Sequence, residues 1–99
     1  MMIYIVDIDG TICETKDGKY TESKPMLCRI KKINDLYDEG HKIIYMTARG
    51  AVTKMDWREL TEKQLKEWGC KYHELDVGNK PHFDLWIDDK AINSEEFFK

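Results

Sequence analysis

Apolar runs separated by polar stretches predict strands and helices in alternation along this chain. Residues 2–6 (Met-Ile-Tyr-Ile-Val) are a continuous β-branched and aromatic run, typical of a strand buried on both faces. Residues 42–47 and 83–87 are similar runs, and residues 72–75 are a shorter candidate. Each of these segments is therefore predicted to be a β-strand.

Two segments between the strands carry apolar residues at helical spacing. Pro25 opens the first, which is predicted to run to about Glu39 and to stop at Gly40. The second is predicted over Asp56–Trp68. Strands alternating with helices predict one α/β domain over residues 1–99, a Rossmann-like three-layer sandwich around a mainly parallel sheet.

A polar segment, Glu14–Ser23, follows the first predicted strand and has Asp17-Gly18 at its centre. This dipeptide is a good signal for a tight hairpin turn, so we expect a short flap after strand 1. The tail, Ser94–Lys99, is expected to form a final helical turn or two.

Charge, cysteine content and size narrow the class of protein. The 16 Lys and Arg against 19 Asp and Glu leave a net charge of −3, so no dedicated nucleic-acid binding is expected. Cys13, Cys28 and Cys70 form no CxxC pair, which argues against a disulfide framework and a zinc site. With no signal-peptide or membrane-spanning pattern, a cytoplasmic protein without a membrane partner is expected. So small a core also makes a homo-oligomer possible.

Polar residues follow three predicted strands where each strand ends. Residues 7–11 (Asp-Ile-Asp-Gly-Thr), 47–50 (Thr-Ala-Arg-Gly) and 88–89 (Asp-Asp) occupy these places. Ligands bind at the carboxyl edge of open α/β sheets. The prediction is that one rim of the sheet carries Asp7, Asp9, Thr47, Arg49, Asp88 and Asp89.

The two acidic pairs predict a metal site. An isolated Asp-x-Asp-Gly is also common as an ordinary turn that caps a strand, so the second pair decides. Unpaired carboxylates about 4 Å apart repel by roughly 4 kcal/mol at an intermediate dielectric, which calls for a cation. Hard oxygen ligands without His or Cys favour Mg²⁺ over zinc. We therefore expect Asp7, Asp9, Asp88 and Asp89 to bind Mg²⁺.

Thr47 and Lys80 become candidate functional residues when they are considered together with this cluster, although neither residue alone indicates a function. A nucleophilic carboxylate, a hydroxyl, a cation and a metal together make up what phosphoryl transfer needs, because the cations neutralise the non-bridging oxygens during in-line attack. Arg49 is expected to bind phosphate or sugar oxygens of the substrate.

These residues resemble the four motifs of the haloacid dehalogenase superfamily, in that family's order. Residues 7–11, Thr47, Lys80 and the Asp88-Asp89 pair carry the resemblance, which spans most of the chain. In having an acidic residue two positions after the first Asp, the chain resembles phosphatase-type members of that superfamily rather than dehalogenases. The resemblance implies a Mg²⁺-dependent phosphomonoester hydrolase with an aspartyl-phosphate intermediate.

The resemblance also implies roles. Asp7 would attack phosphorus, while Asp9 would protonate the leaving oxygen, then activate water, and lend its backbone carbonyl to Mg²⁺. Thr47 would hydrogen-bond a phosphoryl oxygen, and Lys80 would hold Asp7 and the phosphate charge. The Asp88-Asp89 pair would complete the metal site, with the second of the two favoured as the direct ligand.

The chain differs from larger members of that superfamily in having no room for a cap domain. Only residues 14–24 and 69–79 are available, and neither can fold as a domain. Residues 47–50 and 80–89 look similar to small phosphatases of bacterial sugar and capsule biosynthesis, and more distantly to polynucleotide 3′-phosphatase domains. A small phosphorylated substrate, a sugar phosphate or related metabolite, is therefore expected.

Other functions stay open to different degrees. A phosphotransferase would pass the same aspartyl phosphate to an acceptor other than water. A receiver-type signalling domain uses similar residues, but its acidic doublet follows the first strand rather than the last. A cysteine phosphatase or P-loop nucleotidase is disfavoured, because no Cys with an Arg six residues on and no GxxxxGK[ST] is present.

Overall fold

The structure is a computed structural model that describes residues 1–51 and 55–99. Its elements, in chain order, are β1 (Ile3–Asp7), β2 (Cys13–Glu14), β3 (Lys24–Pro25), α1 (Leu27–Asp38), β4 (Lys42–Thr47), α2 (Arg58–Glu67), β5 (Glu74–Val77) and α3 (Ser94–Phe97). No helix in the described ranges is both long and apolar enough to cross a bilayer.

A parallel sheet with the strand order β1-β4-β5 forms the centre of the fold. Ile5 lies opposite Ile44 in the first pair of strands, and Thr47 lies opposite Val77 in the second. Because α1 and α2 each connect one parallel strand to the next, all three strands end at the same edge of the sheet. The predicted Rossmann-like α/β fold with a parallel sheet is confirmed.

One face of this sheet is covered by both helices. Right-handed crossovers that progress in one direction across a sheet place their helices on the same side. The buried core accordingly joins alternate strand residues to both helices: Val6, Ile43, Tyr45 and Leu75 with Ile30 and Ile33 of α1 and Leu65 of α2. On the opposite face Ile3 and Ile5 are exposed, and no described helix covers them. Two of the three expected layers are therefore present.

The flap forms between β2 and β3. Asp17 and Gly18 both have positive φ angles, 54° and 68°, and the amide of Lys19 donates to the carbonyl of Lys16 at 3.0 Å. This is the geometry of the predicted tight turn. Pro25 belongs to β3, so α1 begins at Leu27 rather than at Pro25.

The strand predicted over residues 83–87 does not form. Residues 81–92 have no regular structure, and none of their backbone groups bonds to another backbone group within the described chain. The side chains of Leu85 and Ile87 are exposed. The local pattern is that of a strand, but a strand needs a neighbour to pair its N–H and C=O groups, and the described chain supplies none here.

Candidate active site

An open pocket of about 230 Å³ lies at the carboxyl edge of the sheet. The ends of β1 and β4 and the segment that follows β5 surround it. Five predicted site residues line this pocket together: Asp7, Asp9, Thr47, Arg49 and Lys80. Two others, Asp88 and Asp89, are not among the lining residues.

The turn after β1 aims both aspartates at the pocket. Ile8, between them, is completely buried in the core, so its two neighbours point away from the core. Gly10 has a φ of 82°, and the amide of Thr11 donates to the carbonyl of Ile8 at 3.1 Å. The chain thus reverses directly after Asp9, and the turn holds both carboxylates at the sheet edge.

Asp7 is held by two donors and remains open to solvent on one side. The Nζ atom of Lys80 lies 2.9 Å from one carboxylate oxygen, and the hydroxyl of Thr11 donates to the other at 3.1 Å. Both Asp7 and Lys80 are partly buried. An accessible carboxylate beside a cation is therefore present in the pocket.

Asp9 is held more tightly, in a two-point ion pair with Arg49. The Nε and Nη2 atoms of Arg49 lie 3.0 and 2.8 Å from its two oxygens, and Thr15 donates at 2.6 Å. Burial alone would raise the pKa of Asp9, but the hydrogen bonds from Arg49 and Thr15 and the charge of Arg49 together hold that pKa below its usual value of 3.8. Asp9 is therefore an anion at neutral pH.

Arg49 is a core residue, which corrects the expectation that it binds substrate. It is 1% exposed. Besides the two bonds to Asp9, its guanidinium donates to Thr61 at 3.2 Å, to Gln64 at 2.6 Å and to Ser23 at 3.4 Å. All five N–H groups of the side chain are therefore occupied. Arg49 ties the turn after β1 to α2 and to the flap, and has no donor left for a ligand.

Thr47 is also committed to this network. It is buried, its hydroxyl donates to Asp9 at 3.3 Å, and the same hydroxyl accepts from the backbone amide of Arg49 at 3.2 Å. Its single proton is thus directed at Asp9. Contact with a phosphoryl oxygen, as the resemblance implies, would require the hydroxyl to turn away from that carboxylate.

Asp88 and Asp89 lie outside the pocket, on the exposed segment where the predicted strand is missing. Asp88 accepts from the indole N–H of Trp86 at 3.3 Å and from the amide of Lys90 at 3.1 Å. In the described parts of the chain, no three His, Cys, Asp or Glu side chains are placed to hold a metal. The predicted four-carboxylate cluster is therefore not assembled within one chain.

Side chains neutralise the acidic pair that was expected to need a metal. Two carboxylates, Asp7 and Asp9, face two cations, Lys80 and Arg49. Every carboxylate oxygen of the pair accepts at least one hydrogen bond from a protein side chain. These residues, as a single chain arranges them, do not fit a Mg²⁺ site.

Sequence reasoning missed the residues that support Asp9. Thr15, Ser23 and Gln64 come from the flap and α2 and carry no motif, so only their contacts reveal them. His82 lines the pocket two residues after Lys80. Its closeness to Lys80 along the chain agrees with this position.

Fold and site together define a Rossmann-like α/β protein with a pocket of paired aspartates and cations at the carboxyl edge of a parallel sheet. No family model and no curated protein matches the chain. The crystal structure of a structural-genomics target from Vibrio cholerae is similar, with a TM-score of 0.87 and 27% sequence identity. The match covers 99% of this chain and 88% of that one, and it supports the same fold over the whole chain.

Proposed function

We propose that this protein hydrolyses phosphomonoesters and that Asp7 is its nucleophile. The observation that supports this most directly is the accessible carboxylate of Asp7, with the ammonium group of Lys80 2.9 Å away in an open pocket. A cation at this distance can bind the non-bridging phosphoryl oxygens while the carboxylate attacks phosphorus.

The chemistry divides into two steps. In the first, an oxygen of Asp7 forms a bond to phosphorus while the bond from phosphorus to the ester oxygen breaks, and the leaving alcohol takes up a proton. In the second, water attacks the phosphorus of the aspartyl phosphate. The acyl-phosphate P–O bond breaks, inorganic phosphate leaves, and the carboxylate of Asp7 is regenerated. Lys80 faces the phosphoryl oxygens in both steps.

The proton for the leaving alcohol has two candidate donors. Asp9 has this role by resemblance, yet its pKa is lowered and both its oxygens are bound to Arg49. It could donate only after protonation and loss of that ion pair. His82 lines the same pocket, and imidazole is the side chain used most often for proton transfer. We therefore propose His82 as the alternative donor.

The pocket suits a phosphoryl group better than an entire large substrate. Its volume of about 230 Å³ lies below the range of about 300–1,000 Å³ usual for ligand pockets. The phosphoryl group would fill the inner part beside Asp7, and the rest of the molecule would remain at the open mouth. A sugar phosphate or a related small metabolite is the substrate class that we propose.

A screen of phosphorylated metabolites and 3′-phosphorylated oligonucleotides, with Mg²⁺ present, tests this function. We expect turnover of at least one ester and its abolition in Asp7→Asn. Asp35→Asn, which alters only an exposed ion pair with Lys31, is the matched control and should leave turnover unchanged. Mass spectrometry of acid-quenched protein should find the phosphoryl group on Asp7. Full activity in Asp7→Asn, or no turnover of any ester by the wild type, would contradict the proposal.

A further inference from the structure

Residues 83–92, here called the arm, expose apolar side chains that the described chain leaves uncovered. Leu85 is 76% exposed and Ile87 is 89% exposed. The chain is held on both sides of the arm: Lys80 binds Asp7 before it, and α3 packs on α1 after it, where Lys32 donates to the carbonyl of Phe97 at 2.8 Å. The arm is thus a strand-like segment, fixed at its two ends, that lacks a partner.

β1 has an unpaired edge and exposed apolar residues of its own. Within the described sheet, β1 pairs with β4 alone, so its other edge has free N–H and C=O groups. Ile3 and Ile5 are 60% and 63% exposed on the face that carries no helix. Long apolar edge strands are rarely left open in native proteins, because they pair readily with other chains. The free edge of β1 therefore offers the backbone partner that the arm lacks.

The arm cannot bring Asp88 and Asp89 to the pocket of its own chain by pairing with its own β1. For a parallel strand to end beside Asp7, residues 81–84 would first have to run back along β1 for about 13 Å and then reverse. A tight turn uses two of those four residues, and the other two span at most about 7 Å. An antiparallel strand would instead leave the acidic pair at the start of β1, about 13 Å from Asp7.

A second copy removes this obstacle. An arm that turned back at Lys80 and did not reverse again would run antiparallel to its own β1, and so parallel to β1 of a copy related by a two-fold axis perpendicular to the strands. We propose that this protein forms a homodimer in which the arm of each subunit pairs with the free edge of β1 in the other. The contact is reciprocal, so both arms and both edges are covered at once.

The apolar pattern selects the register of this pairing. With Asp89 beside Asp7 of the other subunit, Ile87 lies beside Ile5 and Leu85 beside Ile3, so exposed apolar residues cover one another. A shift by one residue places the charge of Asp84 beside Ile3 instead, which disfavours it.

This arrangement brings Asp88 and Asp89 of one subunit to the pocket of the other. It would add to that pocket two carboxylates that a single chain does not place beside Asp7 and Asp9. A catalytic role of Asp89 in that pocket rests on the proposed function, whereas the interface itself does not.

Disulfide trapping tests the interface without any assay of activity. In a Cys28→Ser background, which removes the exposed native thiol, the pair Ile5→Cys and Ile87→Cys would lie opposite one another between subunits. Mild oxidation should give a reducible dimer on a denaturing gel, since neighbouring strands meet the Cα spacing of a disulfide. Each single Cys variant is the matched control and should run as a monomer on the denaturing gel. A bond within one chain, or no bond, would overturn the proposal.

Sedimentation gives the second readout. We expect the wild type at twice the 11.8 kDa chain mass. Leu85→Asp with Ile87→Asp should be monomeric, whereas Leu27→Asp, which alters another exposed apolar residue outside the arm, should remain dimeric. A monomeric wild type would overturn the proposal.

Complementation then tests the shared site. Asp7→Asn and the double variant Asp88→Asn with Asp89→Asn should each be inactive. In their mixture, heterodimers have one complete site, and about a quarter of wild-type activity should return if subunits assort at random. No recovery, with mixed dimers present, would overturn the sharing of residues. If the Ile5→Cys and Ile87→Cys variant forms the cross-link but the wild type cleaves no phosphate ester, the interface stands and only the proposed function is contradicted.

Discussion

At the scale of single residues, the two aspartates of the first turn have different environments and should have different tasks. Asp7 meets one lysine and one hydroxyl and stays accessible. Asp9 pairs with the buried guanidinium of Arg49 and accepts from two further hydroxyls. The first arrangement leaves a carboxylate that a substrate can reach, and the second anchors the loops of the site.

Asp9→Asn should therefore destabilise the fold as well as affect activity. It leaves the buried charge of Arg49 without a counterion, and loss of one partner of a buried pair costs about 3–5 kcal/mol. Asp7→Asn should cost less, because Asp7 and Lys80 are both partly exposed to solvent. Urea unfolding at pH 7 measures both variants, and equal losses would contradict the anchoring role of Asp9.

The lowered pKa of Asp9 predicts how stability depends on pH. Because this pKa is lower in the folded than in the unfolded chain, the ion pair adds stability at pH values above 3.8, and the gain is lost as pH falls through the folded pKa. Between pH 5 and pH 2 the urea midpoint of the wild type should fall more than that of Asp9→Asn. Parallel decreases would contradict the assignment.

The identity of the proton donor predicts a dependence on the leaving group. If His82 donates, His82→Gln should slow cleavage of an alkyl phosphate by roughly 10²–10⁴-fold. An aryl phosphate with an acidic phenol needs little protonation and should be cleaved nearly as fast as by the wild type. Steady-state rates on the two esters measure the difference. An unchanged rate on the alkyl phosphate would exclude His82 as the donor.

At the scale of elements, the turn after β4 sets the position of Arg49. Gly50 follows it with a φ of 84°, and a Cβ atom there would overlap the backbone carbonyl of Met55. Only glycine combines this φ with so close an approach of backbone. The turn thus lets the chain leave β4 while the arginine side chain points back into the core.

Gly50→Ala should consequently destabilise more than Gly18→Ala. Both positions have positive φ, which costs an alanine roughly 1–2 kcal/mol, but nothing lies within 4 Å of a Cβ at Gly18. The overlap with the Met55 carbonyl adds to the cost at Gly50 alone. Thermal unfolding of the two variants gives the comparison. Equal shifts would show that the turn yields to the added methyl group.

At the scale of the whole molecule, the sheet has one covered face and one open face, with an arm that follows the residues at its carboxyl edge. Apolar residues on the open face and on the arm are exposed together. In the proposed dimer these apolar side chains pack beside one another along the paired strands and lose part of their exposed area, so association should contribute to the stability of each subunit.

The midpoint of thermal unfolding should therefore rise with protein concentration in the wild type. The reason is mass action, because a folded dimer unfolds to two chains. The Leu85→Asp and Ile87→Asp double variant should show a constant midpoint over the same range. Differential scanning calorimetry at several concentrations provides the measurement, and a constant midpoint in the wild type would contradict a dimer that stabilises its subunits.

The amino-acid sequence by itself determined the parallel sheet, both long helices, the flap and the meeting of Asp7, Asp9, Thr47 and Arg49 at one edge. Each of these follows from local apolar spacing, from turn residues and from the rule that parallel strands connected by helices end together. Such signals lie within a few residues of the feature that they predict.

Only the tertiary structure decided which side chains the pocket keeps free and whether residues 83–87 form a strand. Arg49 looked like a ligand-binding residue, but its five donors find acceptors on α2, the flap and Asp9, which are distant in sequence. A strand, likewise, exists only where another backbone pairs with it, and the described chain offers none to the arm. Both outcomes depend on atoms that meet only after folding.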